Sequence, residues 1–266
     1  MPSLLKSSIS IVTINLNNAV GLKKTITSVL NQTAKPHEFI IVDGGSTDGS
    51  IGIINEQTEN NLKWISEPDT GIYNAQNKGL RQATGDYVLF LNSGDELINK
   101  EILEKVIPLL NGTDIVYGDL LIVELSTEWV KKYNDPLSFG YFLGDTLPHQ
   151  GSFIKRSVFD SVGRFDETLR ICSDWKFFLN AVCRFNCSIL YLDFVVTRYD
   201  FSGISSDPVS KKRMADEKDT VLIKDFPRFY KEYKELFELR GKYPLLANSR
   251  AVKFYFKIRN IFIRNN

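Results

Sequence analysis

Apolar and polar positions in the N-terminal third alternate between two periods. Residues 9–14 are mostly β-branched and apolar, and they predict a first strand. A polar loop follows at Asn15-Leu16-Asn17-Asn18. Across residues 21–32 the apolar positions Leu22, Ile26, Val29 and Leu30 recur at helical spacing, and Pro36 stops any continuation. Residues 39–42 read as a second buried strand ending at Asp43-Gly44-Gly45-Ser46. Asp48 or Ser46 can cap a helix carrying Ile51, Ile53 and Ile54. Residues 62–65 predict a third strand and residues 71–83 a helix. The block at 86–91 is short, apolar and bounded by turn residues, which favours a strand buried on both faces. Strands alternating with helices at this spacing predict βαβ units and a mainly parallel sheet.

Further along, residues 102–110 predict a helix with Pro108 near its end, and 114–119 a strand with polar ends. Residues 120–142 mix charge with aromatics and give no clear period. Trp175, Phe178, Leu179 and Val182 mark a helix beginning near Ser173 or Asp174, and 191–199 reads as the last strand. From Asp207 onward Lys, Arg and Glu become dense. The chain therefore divides into an α/β domain at 1–206 and a helical extension at 207–266. No acidic residue follows Glu238. Arg250, Lys253, Lys257 and Arg264 share one helical face, with Val252, Tyr255, Ile258, Phe262 and Ile263 away from it and Arg259 an exception. Such a basic amphipathic helix suits an anionic membrane interface.

Composition narrows the partners. The 266 residues carry a net charge of +1, which gives no hint of nucleic acid. Three cysteines make neither a disulfide framework nor a zinc pattern, so a reducing compartment is the default. The N-terminus lacks the charge and apolar run of a signal peptide, and no stretch is long and apolar enough to span a bilayer. The expected location is cytoplasmic, with peripheral contact at the inner face of the plasma membrane.

The strand ends supply the candidate chemistry. Thr13, Asn15, Asp43 and Asp95 gather on one edge of a parallel sheet, where open α/β sheets bind ligands. A carboxylate such as Asp43 can accept from a base N–H or a ribose hydroxyl. Gly44-Gly45 lets the backbone turn sharply. Asp95, next to Gly94, can hold a hard divalent ion. Turn and capping roles also account for each aspartate taken singly.

Four segments appear in order: Asp43-Gly44-Gly45-Ser46-Thr47-Asp48-Gly49-Ser50, Glu67-Pro68-Asp69-Thr70-Gly71-Ile72-Tyr73-Asn74-Ala75-Gln76-Asn77-Lys78-Gly79, Ala83-Thr84-Gly85-Asp86-Tyr87 and Asn92-Ser93-Gly94-Asp95. Together they resemble the family 2 glycosyltransferases, inverting enzymes of the GT-A fold, over about the first three quarters of the chain. The resemblance implies a Rossmann-like nucleotide half and an acceptor half. It implies a nucleoside diphosphate sugar, most often UDP-linked, a divalent ion (Mg²⁺ or Mn²⁺), and a hydroxyl acceptor on a glycan or lipid-linked glycan of cell-surface polysaccharide synthesis. It makes Thr13 and Asp43 the base-binding pair, with Asn15 and Ser93 also on the donor side. It puts Asp69 by the base or ribose, Lys78 near the diphosphate, Asp95 on the metal, and His149 on the acceptor or diphosphate side. Asp174 is the implied general base, with Ser173 where Glu is common. Asn92 and Gly94 stand where Asp is often found, so one carboxylate, phosphate oxygens and waters would make up the ion's shell. Residues 200–205 resemble a loop that orders over bound donor. The thinned metal motif leaves a second reading open, a nucleotide-sugar-binding protein with weak catalysis. A nucleotidyltransferase is more distant, because the loop after the first strand is neither glycine-rich nor basic.

Overall fold

The computed structural model describes residues 7–201 and 208–232, together with 235, 238, 239 and 241. The chain forms two compact units, residues 1–218 and 219–266. Its strands are β1 (Ile9–Asn15), β2 (Glu38–Asp43), β3 (Leu62–Ser66), β4 (Tyr87–Phe90), β5 (Glu96–Leu97), β6 (Ile115–Glu124), β7 (Thr127–Lys131), β8 (Ser152–Lys155) and β9 (Ile189–Asp200). Its helices are α1 (Ala19–Leu30), α2 (Ser50–Asn55), α3 (Ile72–Gln82), α4 (Ile102–Val106), α5 (Phe139–Gly144), α6 (Val158–Ser161), α7 (Ser173–Cys183) and α8 (Pro208–Asp225). In the second unit the described residues complete α8, and residues 227–232 are helical.

β3, β2, β1 and β4 lie side by side and parallel. All of β2 and β4 is buried, as helix-covered parallel strands require. Ile11, Phe39, Ile41 and Leu89 pack with Leu22, Ile26 and Val29 of α1. The Asn18 side chain caps α1 by accepting the Gly21 N–H at 3.0 Å. On α3, a Cβ at Gly79 would lie 2.3 Å from Val12 Cγ1, so the helix approaches β1 more closely than any larger residue allows.

Past β4 the sheet becomes mixed. β8 runs antiparallel to β4, β6 antiparallel to β8, and β9 parallel to β6. β5 pairs antiparallel with β9, and β7 folds back on β6 as a hairpin. The predicted parallel arrangement thus holds throughout the first half, and past β4 it holds for β6 with β9. The hairpin escaped the sequence pattern because β7 is exposed along most of its length and has no buried face to alternate with. The helix expected over 102–110 is α4 followed by a 3-10 turn at Ile107–Leu109 that contains Pro108. No described helix is long and apolar enough to cross a membrane. The basic face at 250–264 and the loop at 202–205 lie outside the described residues.

Glu38 opens β2 with a side chain only 2% exposed. Burial alone would raise its carboxyl, but Lys63 Nζ at 2.6 Å, the Ser10 hydroxyl at 2.6 Å, and the Thr84 amide and hydroxyl hold it down to about 2, against an ordinary 4.5. A depressed folded-state value contributes stability that is present above the ordinary value and is lost as pH falls through the folded one. Glu38→Gln is expected to cost roughly 2–3 kcal/mol at neutral pH. That gap should close as pH falls from about 4.5 towards about 2. Urea unfolding of both proteins along a pH series measures it, and a gap that does not change with pH excludes this network as its source.

Candidate active site

Asn15 ends β1 and ties three segments together. Its Nδ2 donates to Asp43 Oδ1 at 2.8 Å and Ser46 Oγ at 3.1 Å, and its Oδ1 accepts from Ser93 Oγ at 2.8 Å. Asp43 is fully buried. Besides Asn15, its carboxylate takes the Ser46 hydroxyl, the Gly45 and Ser46 amides at 3.0 and 2.8 Å, and Ser66 Oγ at 2.7 Å. Burial pushes the carboxyl up, and the Ser46 hydroxyl and amide with Asn15 and Ser66 bring it below its ordinary value. Asp43 therefore anchors the Gly44–Ser46 turn, and it is not among the residues that line the two cavities described below. Thr13 is also fully buried. Its hydroxyl donates to the Leu91 carbonyl at 2.6 Å, so it too is withdrawn from the cavities, and Asn15, two residues on, reaches the edge instead. Asp69 Oδ2 hangs over Gly44, only 2.5 Å from where a Cβ would sit, and Asp69 Oδ1 accepts the Gly71 amide at 2.9 Å. Lys78 is bound to Glu67 Oε1 and the Pro68 carbonyl, each at 2.8 Å, and lines neither cavity. Its ammonium secures the 67–69 loop.

A second chain of contacts crosses from β4 to α7. Gln76 Nε2 donates to Asn92 Oδ1 at 3.2 Å, and Asn92 Nδ2 meets His149 Nε2 at 3.2 Å. His149 Nδ1 meets Asp174 Oδ2 at 2.9 Å. Asp174 Oδ1 takes the Trp175 amide at 2.8 Å and faces the Tyr73 hydroxyl at 2.9 Å. Burial raises the Asp174 carboxyl, yet His149, then the Trp175 amide and Tyr73, draw it below the ordinary carboxylate value. Burial, then the Asp174 charge, drives Tyr73 well above an ordinary phenol. Asp95 is different. Burial lifts it to about 7, and the Asp200 amide at 3.1 Å offsets only part of that rise. On α8, Glu217 accepts the amides of Arg170, Ile171 and Cys172 at 2.9–3.0 Å, fixing the loop that enters α7.

Two cavities meet over these residues. One, of about 830 Å³, is lined by Asn15, Asn18, Asp69, Asn74, Arg170 and Arg213 among others. The other, of about 720 Å³, holds Asp95, His149 and Asp174 beneath an aromatic wall of Trp129, Tyr133, Tyr199 and Phe201. Tyr73, Asn92, Ser93 and Arg170 line both. Of the expected site residues, the structure brings Asn15, Asp69, Ser93, Asp95, His149 and Asp174 to this pair of cavities.

Residues 10–164 match the family description Glycosyl transferase family 2. The chain belongs to glycosyl transferase family 2. A PGL/p-HBAD biosynthesis glycosyltransferase of Mycobacterium bovis is 32% identical to this family 2 chain over 213 residues, covering 76% of this chain and 81% of that one. Staphylococcus aureus TarS, solved with UDP-GlcNAc, matches with a TM-score of 0.64 at 20% identity over 81% of this chain and 66% of its own. A mannosyltransferase of Pyrobaculum calidifontis, solved with GDP-Man and Mn²⁺, matches with a TM-score of 0.57 at 14% identity over 98% of this chain and 86% of its own. The family 2 chain has the GT-A-like α/β fold and is a glycosyltransferase.

Several residues of this glycosyltransferase's site carry no sequence signal. Tyr73 reaches Asp174 across 101 positions, and Gln76 and Asn92 are plain amides in the sequence. Arg170 and Arg213 sit outside the four ordered segments. Among the described residues no group of three His, Cys, Asp or Glu side chains could hold a metal ion. Asp95 and Asp200 line the smaller cavity, and Asp200 Oδ2 is 3.2 Å from where a Cβ on Gly94 would lie. Two carboxylates suit a hard ion that arrives with phosphate oxygens, and not one held by protein alone.

Asn15→Ala is expected to cost roughly 1–3 kcal/mol, because Asp43 and Ser93 each lose a buried partner. Asn15→Asp should cost more, since it sets a second carboxylate against Asp43. Urea unfolding ranks the two, and equal stability of Asn15→Asp and wild type would remove Asn15 from its central place.

Proposed function

We propose that this glycosyltransferase moves a sugar from a nucleoside diphosphate donor, UDP-linked, to a hydroxyl of a glycan or lipid-linked acceptor, with inversion at the anomeric carbon. The observation that carries the reading is the junction of two cavities at Tyr73, Asn92 and Ser93. One cavity carries two arginines and several amides in its lining, and the other has an aromatic wall and holds a histidine–aspartate pair. The donor takes the cavity of Asn15 and Asp69, whose side chains offer acceptors and donors to base and ribose. Arg170 and Arg213 there offset diphosphate charge, the task that the sequence alone assigns to Lys78. The acceptor takes the aromatic cavity, where ring faces suit sugar carbons. Inversion needs a base across the anomeric carbon from the leaving group, and His149 with Asp174 stands on the acceptor side. Asp95, with Asp200 beside it, would hold Mg²⁺ or Mn²⁺ together with diphosphate oxygens, and the ion when bound would supply positive charge to the leaving group. The UDP-GlcNAc complex of TarS supports the uridine assignment. The basic run after Glu238 supports contact of a 207–266 extension with an anionic membrane surface, where a lipid-linked acceptor would be presented.

A thermal-shift series of nucleoside diphosphates and their sugars, with and without Mn²⁺, tests this. Saturation by the correct nucleotide should raise the unfolding midpoint by about 5 °C, more with metal. Arg213→Ala should weaken donor binding about tenfold, by loss of a charge-assisted contact. Lys78→Met should change it less than about twofold. Indifference to every nucleotide would sink the proposal. Binding without release of nucleoside diphosphate would favour a binding protein over an enzyme.

A further inference from the structure

We infer that the aromatic cavity takes an acidic acceptor, in which a carboxylate or phosphate sits on or next to the sugar that supplies the hydroxyl, and that Lys218 pairs with this anionic group. The inference rests on the transferase reading above and names the class of its acceptor.

α8 turns a lysine-bearing stripe towards that cavity. Lys211, Met214 and Lys218 stand three and four residues apart along the helix, and all three line the cavity. Among the described residues neither lysine is in an ion pair. The Lys218 ammonium lies 5.1 Å from the centroid of the Trp175 ring. That indole is fixed, because it is 1% exposed and its Nε1 donates to the Phe142 carbonyl at 2.6 Å. A ring face holds a cation in place and leaves its charge uncancelled. Burial draws the Lys218 ammonium below the ordinary lysine value, and the charges of Asp174 and Asp145 oppose that shift only in part. A partly buried cation with no counter-ion is costly, and a ligand that brings an anion to it relieves the cost.

The carboxylates near Lys218 are engaged elsewhere. Asp145 accepts from Lys131 Nζ at 2.8 Å and from the Thr146 amide at 2.9 Å. Asp174 is held by His149, the Trp175 amide and Tyr73. Glu217, the residue before Lys218, is spent on the three amides of the loop that enters α7. The Cys172 thiol, pushed up to about 12 by burial, brings no negative charge at neutral pH. Asp95, after β4, and Asp200, at the end of β9, are the other carboxylates of the lining, and the reading above gives them to the donor's cation. Arg170 lines both cavities and serves the diphosphate in that reading. The cations left for the acceptor are therefore Lys218 and the exposed Lys211. Trp175 follows Asp174 in the chain, so Lys218 stands over the end of α7 at which the incoming hydroxyl arrives. An anion that reaches Lys218 belongs to the same sugar as that hydroxyl or to its neighbour. A lysine is a compact point charge on a flexible stem, which suits a carboxylate and a phosphate alike.

Equilibrium binding of methyl glucoside, methyl glucuronide and glucose-6-phosphate, with UDP and Mn²⁺ present to fill the donor cavity, tests the inference. At low ionic strength one of the charged probes should bind the wild type at least about tenfold more tightly than the neutral glucoside. Tighter binding of the glucuronide assigns a carboxylate, and tighter binding of the sugar phosphate assigns a phosphate. Lys218→Met keeps the apolar stem and removes the charge, and it should cut the preference to less than about twofold. Lys218→Arg should keep the preference within about threefold of wild type. Lys211→Met should lower it less than Lys218→Met does, because an exposed charge is screened. Equal affinity for charged and neutral probes, or no measurable binding of either charged one, overturns the inference without recourse to any variant. So does a preference that survives Lys218→Met, or inorganic phosphate that binds as tightly as the sugar phosphate. Nucleotide binding with no preference for a charged sugar removes this inference and leaves the transferase reading standing. Lys218-dependent binding of a charged sugar, beside indifference to every nucleotide, does the reverse.

Discussion

Asn92 is the side chain through which the two halves of the sheet communicate. It follows β4, the last strand of the parallel half, and contacts His149 in the turn before β8, the first antiparallel strand. Ligands of open α/β sheets bind where strand order or sense changes, because connections diverge there and leave a crevice. Here Asn15, Gln76 and His149 at the crevice are buried, so their polar groups must find partners within the protein. Asn92 meets that demand with Gln76 on one side and His149 on the other, and its carbonyl faces Thr25 and accepts the Asp95 amide. The same residue lines both cavities.

Three aspartates at this edge show how surroundings divide one residue type among different tasks. Asp43 is surrounded by neutral donors from its own turn and from β1 and β3, and stays charged although no cation contacts it. Asp174 is held by an imidazole and an amide and also stays below its ordinary value. At Asp95 complete burial outweighs the Asp200 amide, His149 and the Asn92 amide, so it rises to about 7. Desolvation acts on all three, and the number and kind of donors decides the direction. Asp95 shares its cavity with Asp200.

Much of the first half was legible because strands buried on both faces leave unbroken apolar blocks between turn residues. β1, β2 and β4 lie close to the expected bounds, with Asn15, Asp43 and Asp95 at or just beyond their ends. What the sequence lacked was which polar group leaves the sheet. Thr13 and Asn15 share a face of β1, yet the neighbouring strand still covers Thr13 through the Leu91 carbonyl, while Asn15 stands at the edge. The pairing of Lys78 with Glu67 was not legible, because Glu67 is on a loop whose path only the fold determines. The exposed β7 has no buried period to read, and the antiparallel placement of β8 depends on pairings with no local signature. Tyr73 and Asp174 meet only because α3 and α7 converge over the same strand end.

The departures from the family's acidic motif take on sense beside His149. Asn92 meets His149 Nε2 at 3.2 Å and Gln76 Nε2 at 3.2 Å, so its amide links α3 to the turn before β8. A carboxylate at that position would have no N–H to offer, and it would add a further negative charge to a cavity that already holds Asp95, Asp174 and Asp200. A neutral amide joins the same neighbours without that repulsion.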